Sequence, residues 1–164
     1  MGMFKVSPTV NPRNQRLSTT CWLTCLQMMF EWKGKDASED TILSKMDASP
    51  HLYPYYMRDA GIAPGECKET AKMLGLRWSG DGEISADILH DLMAKRGPIW
   101  IAGIWRRGYS HVMVVTGVNK ETGAIRYIDP WENYSLSDSP GTVTWLSNRG
   151  DVWKSCDASV MYWL

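Results

Sequence analysis

Residues 15–33, QRLSTTCWLTCLQMMFEWK, decide the fold. At the helical period the apolar residues Trp22, Leu23, Cys25, Leu26, Met28, Met29, Phe30 and Trp32 leave only Thr24, Gln27 and Glu31 as a narrow polar stripe. A helix so apolar is buried on most sides, so the rest of the chain must wrap around it. Ser18, Thr19 and Thr20 are cap-type residues, which places the helix start at or beside Cys21, and Gly34 is a stop signal. Cys21 then sits where unpaired backbone N–H groups and the positive end of the helix dipole stabilise negative charge on sulfur. That is a nucleophile's position.

Working outward, residues 1–14 carry Pro8 and Pro12 without helical spacing and read as an extended arm leading to Gln15. After the buried helix, a short helix begins near Ser38 and buries Ile42, Leu43 and Met46. Residues 47–65, with three prolines and three tyrosines at irregular spacing, read as a long loop. Glu66 to Leu74 forms a further helix closed by Gly75, and residues 79–82 form a turn. The next helix is capped at Ser85, buries Ile88, Leu89, Leu92 and Met93, and ends at Gly97-Pro98. His90 lies off that apolar face, as a solvated residue.

From Pro98 the texture changes to β-type residues. Pro98–Trp105, His111–Val118 and Ala124–Ile128 are strands, the last two joined by the turn NKETG; Thr142–Trp145 and Ser159–Leu164 are two more, with a turn or short helix near Asp151. The expected class is therefore α+β, one domain over residues 1–164. A helical half (about 15–96) packs its central buried helix on an antiparallel sheet in the second half (about 98–164).

Composition narrows the function. Eighteen basic residues balance eighteen acidic ones, which argues against nucleic acid or an anionic membrane as partner. No apolar run approaches the roughly 20 residues of a membrane span, and the N-terminus lacks both a signal peptide and a lipidation motif, so a soluble protein is expected. Without export, the sequon Asn133-Tyr134-Ser135 is expected to stay unused. The four cysteines, at 21, 25, 67 and 156, are too few and too irregular for a disulfide framework; Cys25, Cys67 and Cys156 read as core.

Two further residues complete a chemistry. His111 opens a buried strand and Asp129 ends the strand expected to pair with it. In an antiparallel hairpin, opposed residues have a constant sum of numbers. A sum of 240 sets His111 opposite Asp129, whereas 242 makes them diagonal neighbours with Trp131 opposite His111; an odd sum puts them on different faces. Cys21 and Cys25 with His111 and Asp129 also form a donor set for zinc, but that reading pulls Cys25 from the core and lacks a second Cys/His pair.

The glutamine, the Cys-Trp at a helix start, the His opening a strand and an acid two residues before a tryptophan resemble the papain-like cysteine proteases. The spacings, with HVMVVTGV followed by YIDPW, are most similar to compact bacterial members: effector proteases delivered into host cells and bacteriocin-processing peptidases. The resemblance implies Cys21 as nucleophile, His111 as general base, Asp129 in the place of papain's Asn, Gln15 in the oxyanion hole, and Trp22 and Trp131 packing the site. It implies no metal or cofactor, a protein or peptide substrate, room for an inhibitor or immunity protein, and delivery by a specialised secretion system. The Cys-Gly-Ser-Cys-Trp signature of plant and lysosomal members is absent, and the interval from Cys21 to His111 is much shorter than theirs. An amidase, deamidase or acyltransferase would use the same residues, and an inert papain-like binding module would use none of them.

Overall fold

The structure, a computed structural model, describes residues 2–79, 84–106, 109–131, 137–150, 156 and 158–164; the sequon at 133–135 and the segment at 151–155 lie outside the described residues. Helix α1 runs Cys21–Trp32 and buries Cys21 to Leu26 and Met28 to Phe30. It stops as its sequence requires: Gly34 takes φ 77° and the Lys35 N–H returns to the Phe30 carbonyl at 2.9 Å. Helix α2, Glu39–Met46, is capped by Ser38, which accepts from the Thr41 N–H, and buries Ile42, Leu43 and Met46.

The stretch 47–65 is not all loop. Helix α3 spans Pro54–Ala60, and a 3-10 turn spans Pro64–Glu66. Proline fits the first helical position, where its missing N–H has no partner to lose. Only Pro54 and Met57 of α3 are buried, so seven residues offered no apolar repeat to read. Helix α4, Cys67–Leu74, ends on Gly75 in the left-handed region, as expected. Helix α5, Ala86–Arg96, is capped by Ser85, but its buried stripe is Leu89 and Met93, four residues apart. Ile88, expected in the core, is half exposed, and His90 is half-buried with its ring 5.0 Å from that of Phe4 rather than solvated.

The strands are β1 (Phe4–Lys5), β2 (Leu76–Ser79), β3 (Ile99–Arg106), β4 (Tyr109–Val118), β5 (Ala124–Ile128), β6 (Ser139–Thr142) and β7 (Val160–Trp163). They form one sheet in the order β2-β7-β3-β4-β5-β6, all described pairings antiparallel. Strand β3 meets β4 no further along than Ile99↔Val115, and β1 takes over that side at Lys5↔Gly117 and Phe4↔Val118. Strand β2 falls at the edge of the predicted turn; it exists because β7 supplies its partners, from Leu76↔Trp163 to Ser79↔Val160. The strand predicted at 142–145 is instead helix α6, Val143–Gly150. Its β-type sequence is overruled by Thr142, whose hydroxyl accepts the Trp145 N–H at 3.1 Å as a cap, and by burial of Leu146.

Helix α1 lies on this sheet, and two indoles fasten it there. Trp100 on β3 donates its Nε1–H to the Trp22 carbonyl at 3.1 Å, and Trp163 on β7 donates to the Met29 carbonyl at 3.2 Å. Both tryptophans are buried, so each gives the core a large apolar surface and satisfies its one polar group there.

The β4–β5 register changes along the hairpin. Beside the turn, Val118 pairs Ile125 and Gly117 pairs Arg126, an odd sum of 243; past it, Val115 pairs Tyr127 and Val114 pairs Ile128, an even sum of 242. One extra residue on β4, Thr116, makes the change as a β-bulge. Gly117 follows it where a Cβ would lie 2.9 Å from the Phe4 carbonyl, so β1 can approach only a glycine.

Candidate active site

The bulge brings the predicted residues together. Carrying the sum of 242 onward places Trp131 opposite His111 and Asp129 diagonal to it on the same face. His111 Nε2 lies 2.6 Å from Asp129 Oδ1, and the same oxygen accepts the Trp131 backbone N–H at 2.9 Å. The acid is thus held from its own loop before it meets the ring.

The other side of the ring faces α1. Cys21 begins the helix, 8% exposed, close enough to His111 for its sulfur to act on the basicity of the ring. With Nε2 committed to Asp129, the nitrogen left for sulfur is Nδ1. Burial alone would lower the basicity of the ring. Hydrogen bonds to Asp129 and Cys21, with the charges on both, outweigh that and raise the His111 pKa from 6.5 to about 9. A value of about 9 favours the imidazolium at neutral pH, with the Asp129 carboxylate as its hydrogen-bonded partner.

Cys25, one turn deeper, serves as a contrast. It is fully buried and its Sγ donates to the Val112 carbonyl at 3.4 Å. Burial, and then the charges of Cys21 and Asp129, push its pKa well up, so it remains a neutral thiol of the core. Cys67 and Cys156 are buried as well, as their core reading expects. Among the described residues no three His, Cys, Asp or Glu side chains are grouped to hold a metal ion.

Gln15 is on the arm entering α1, tied to the acid's loop by its backbone N–H, which donates to the Pro130 carbonyl at 2.9 Å. Its side-chain Nε2 donates to the Leu17 carbonyl at 2.6 Å, using one of two amide hydrogens. Thr20 marks the helix start, as the sequence suggests, but does not cap it. Its hydroxyl turns back on Leu17, so no side chain caps the first turn of α1, where the Cys21 N–H lies. Trp22 is fully buried and its carbonyl carries the Trp100 anchor. Trp131 is 40% exposed, at the edge of the site.

Sequence reasoning missed three contributors: Thr116, Trp100 and the Leu17–Thr20 turn. A glycine inside an otherwise β-branched run, Thr116-Gly117, is a bulge signal that was legible. The other two depend on contacts between distant or irregular segments and left no periodic trace.

A family model described as papain-like cysteine protease AvrRpt2 matches residues 6–149, a span that includes Gln15, Cys21, His111 and Asp129. Among solved structures, the peptidase domain of Streptococcus ComA, a bi-functional ABC transporter of a quorum-sensing pathway, superposes with a TM-score of 0.57. The identity is 16%, over 94% of this chain and 96% of that one. A C39-like peptidase from Bacillus anthracis superposes with a TM-score of 0.61 at 13% identity, over 96% of each chain. At these identities the likeness bears on the fold, an α+β architecture of papain type. No curated protein sequence matches the chain.

Proposed function

The chain belongs to the family described as papain-like cysteine protease AvrRpt2, and from that premise we propose that it hydrolyses peptide bonds through a Cys21–His111–Asp129 triad and a thioester acyl-enzyme. The observation that carries this reading is the buried His111 imidazole, 2.6 Å from the Asp129 carboxylate, whose basicity is raised both by that carboxylate and by Cys21 at the start of α1. The Cys21 thiolate attacks the scissile carbonyl carbon, and the carbonyl electron pair moves to oxygen. The Cys21 N–H and the second amide hydrogen of Gln15 receive that oxyanion, each donor worth roughly 3 kcal/mol. His111 Nδ1 passes its proton to the leaving amine as the C–N bond breaks and a thioester remains. Water, deprotonated by the now neutral ring, attacks the thioester and releases the carboxylic acid product and the thiolate. Asp129 holds the ring's tautomer and orientation throughout.

As a cysteine peptidase the protein acts on polypeptide, and no described helix is long and apolar enough to cross a membrane. The similarity to compact bacterial papain-like proteases supports an effector delivered to another cell, with an inhibitor or immunity protein as its natural counterpart. The test is a peptide-library digest read by mass spectrometry. Cuts by the wild type that vanish in Cys21→Ala support the protease, while released ammonia or a transferred acyl group with every peptide bond intact would replace it by a deamidase or acyltransferase.

The charge on His111 sets the pH dependence. Activity holds at neutral pH and falls as pH rises through about 9, where the imidazolium loses its proton. In Asp129→Asn an oxygen remains for Nε2 and for the Trp131 N–H, but the negative charge is gone while burial of the ring persists. The alkaline limb of kcat/KM is expected to move to lower pH, with neutral-pH activity kept within about tenfold; Asp129→Ala, with no oxygen at all, loses about 100-fold. An alkaline limb that stays near 9 in Asp129→Asn would show that Asp129 is not what raises the ring's pKa.

A further inference from the structure

The Leu17 carbonyl is a shared acceptor. It receives Gln15 Nε2 at 2.6 Å, the Thr20 hydroxyl at 3.0 Å and the Thr20 N–H at 3.2 Å, while the Leu17 N–H donates back to Thr20 Oγ1 at 3.0 Å. One fully buried hydroxyl therefore both donates to and accepts from Leu17, closing the 17–20 turn from two sides. The side chain of Gln15 has no comparable hold. Its Oε1 is buried without a hydrogen-bond partner, so among the described residues the Leu17 carbonyl is the one hydrogen-bond partner of the side-chain amide.

We propose that Thr20 is a positioning residue for the oxyanion hole: its hydroxyl fixes the Leu17 carbonyl, that carbonyl fixes one hydrogen of the Gln15 amide, and the other hydrogen is thereby aimed at the developing oxyanion. The inference rests on the protease reading and deepens it. An amide tethered at one hydrogen points its second in a set direction only if the tether is itself immobile. The turn between Gln15 and Cys21 is itself neither helix nor strand. Thr19 Oγ1 ties its outer side to the Asp59 carbonyl of α3 at 2.7 Å, and of the three hydrogen bonds that close it between Leu17 and Thr20 the Thr20 hydroxyl makes two. The same residue ends this device and begins α1, since its carbonyl accepts the Thr24 N–H at 3.0 Å. The amide of Gln15 and the N–H of Cys21 are therefore set relative to one another across a single residue.

The test uses the full chain and a peptide that the wild type cleaves, with kcat and KM measured for Thr20→Val, Thr20→Ser, Gln15→Leu and the double variant Thr20→Val/Gln15→Leu. Alkylation of Cys21 by iodoacetamide is followed in parallel, because displacement of iodide at a saturated carbon builds no oxyanion. Thr20→Val is expected to lower kcat about tenfold, part of the effect of losing an oxyanion donor, with KM within about twofold and alkylation unchanged. Thr20→Ser restores the rate, and the double variant is no slower than Gln15→Leu alone. Should the valine variant not fold, Thr20→Ala removes the hydroxyl without placing a new methyl group in the core. Wild-type kcat in Thr20→Val, alkylation slowed in step with kcat, or losses that simply add in the double variant would each overturn the proposal. Retained cleavage by Cys21→Ala would instead remove the Cys21 thiol mechanism on which the proposal rests.

Discussion

Cys21→Ala is expected to lower kcat/KM for peptide cleavage by about 10⁴-fold or more while the cooperative unfolding transition stays close to that of the wild type. The size of the expected effect follows from the proposed mechanism, in which no thioester forms without sulfur and what remains is the weak assistance of the oxyanion donors and of binding. No neighbour can replace it. Cys25, the thiol one turn away, is fully buried, donates to the Val112 carbonyl and is kept neutral by its surroundings. The stability change is small because the substitution removes one atom at the start of the helix and leaves the α1 backbone, the Trp100 anchor and the His111–Asp129 hydrogen bond in place. Steady-state kinetics with a peptide substrate and a thermal melt check both halves. Activity within about tenfold of wild type would assign the nucleophile elsewhere.

Trp100→Ala is expected to produce the largest loss of stability, about 3–5 kcal/mol. The indole is fully buried between β3 and α1, so alanine leaves a cavity in the middle of the core and removes the donor to the Trp22 carbonyl. Trp100→Phe separates the two contributions. It restores much of the ring volume without the N–H and should cost about 1–2 kcal/mol. Urea unfolding followed by far-UV circular dichroism measures both, independently of the lost chromophore. Because the Trp22 carbonyl is next to Cys21, the alanine variant should also lose activity below its unfolding midpoint, as the helix start shifts relative to His111. An alanine variant within about 1 kcal/mol of wild type would mean that the indole anchor does not hold α1 on the sheet.

The elements that were legible share a cause. Helix α1 announces itself because its apolar period spans twelve residues and its stop is a glycine that adopts φ 77°. Helices α2 and α5 carry serine caps, and α4 ends on a glycine in the left-handed region. Each of these signals operates within a few residues of chain. The misread elements are those whose reason is elsewhere. Strand β2 needs β7, some 80 positions on, to supply its hydrogen bonds. Helix α6 follows from one hydroxyl cap and the burial of Leu146, against the β preference of its residues. Helix α3 is too short for a period to emerge, and Ile88 was assigned to the core by a stripe drawn one residue too wide.

For the candidate site the division is the same. By itself the sequence determined which groups are present, and that Cys21 heads the buried helix, since residue type, caps and apolar spacing are local properties of the chain. It also reduced the pairing of His111 with Asp129 to a question of parity. Only the tertiary structure decided that parity: the turn sets an odd register, and the bulge at Thr116, beside a Gly117 that lets β1 approach, makes it even where it reaches the imidazole. It likewise turned Thr20 from a helix cap into the clasp of the Leu17 turn. The physical reason is that a side-chain period of two makes a single inserted residue change which face a group occupies. Thr116-Gly117 marks locally where a residue can be inserted, but the strands that pair across the fold decide whether it is.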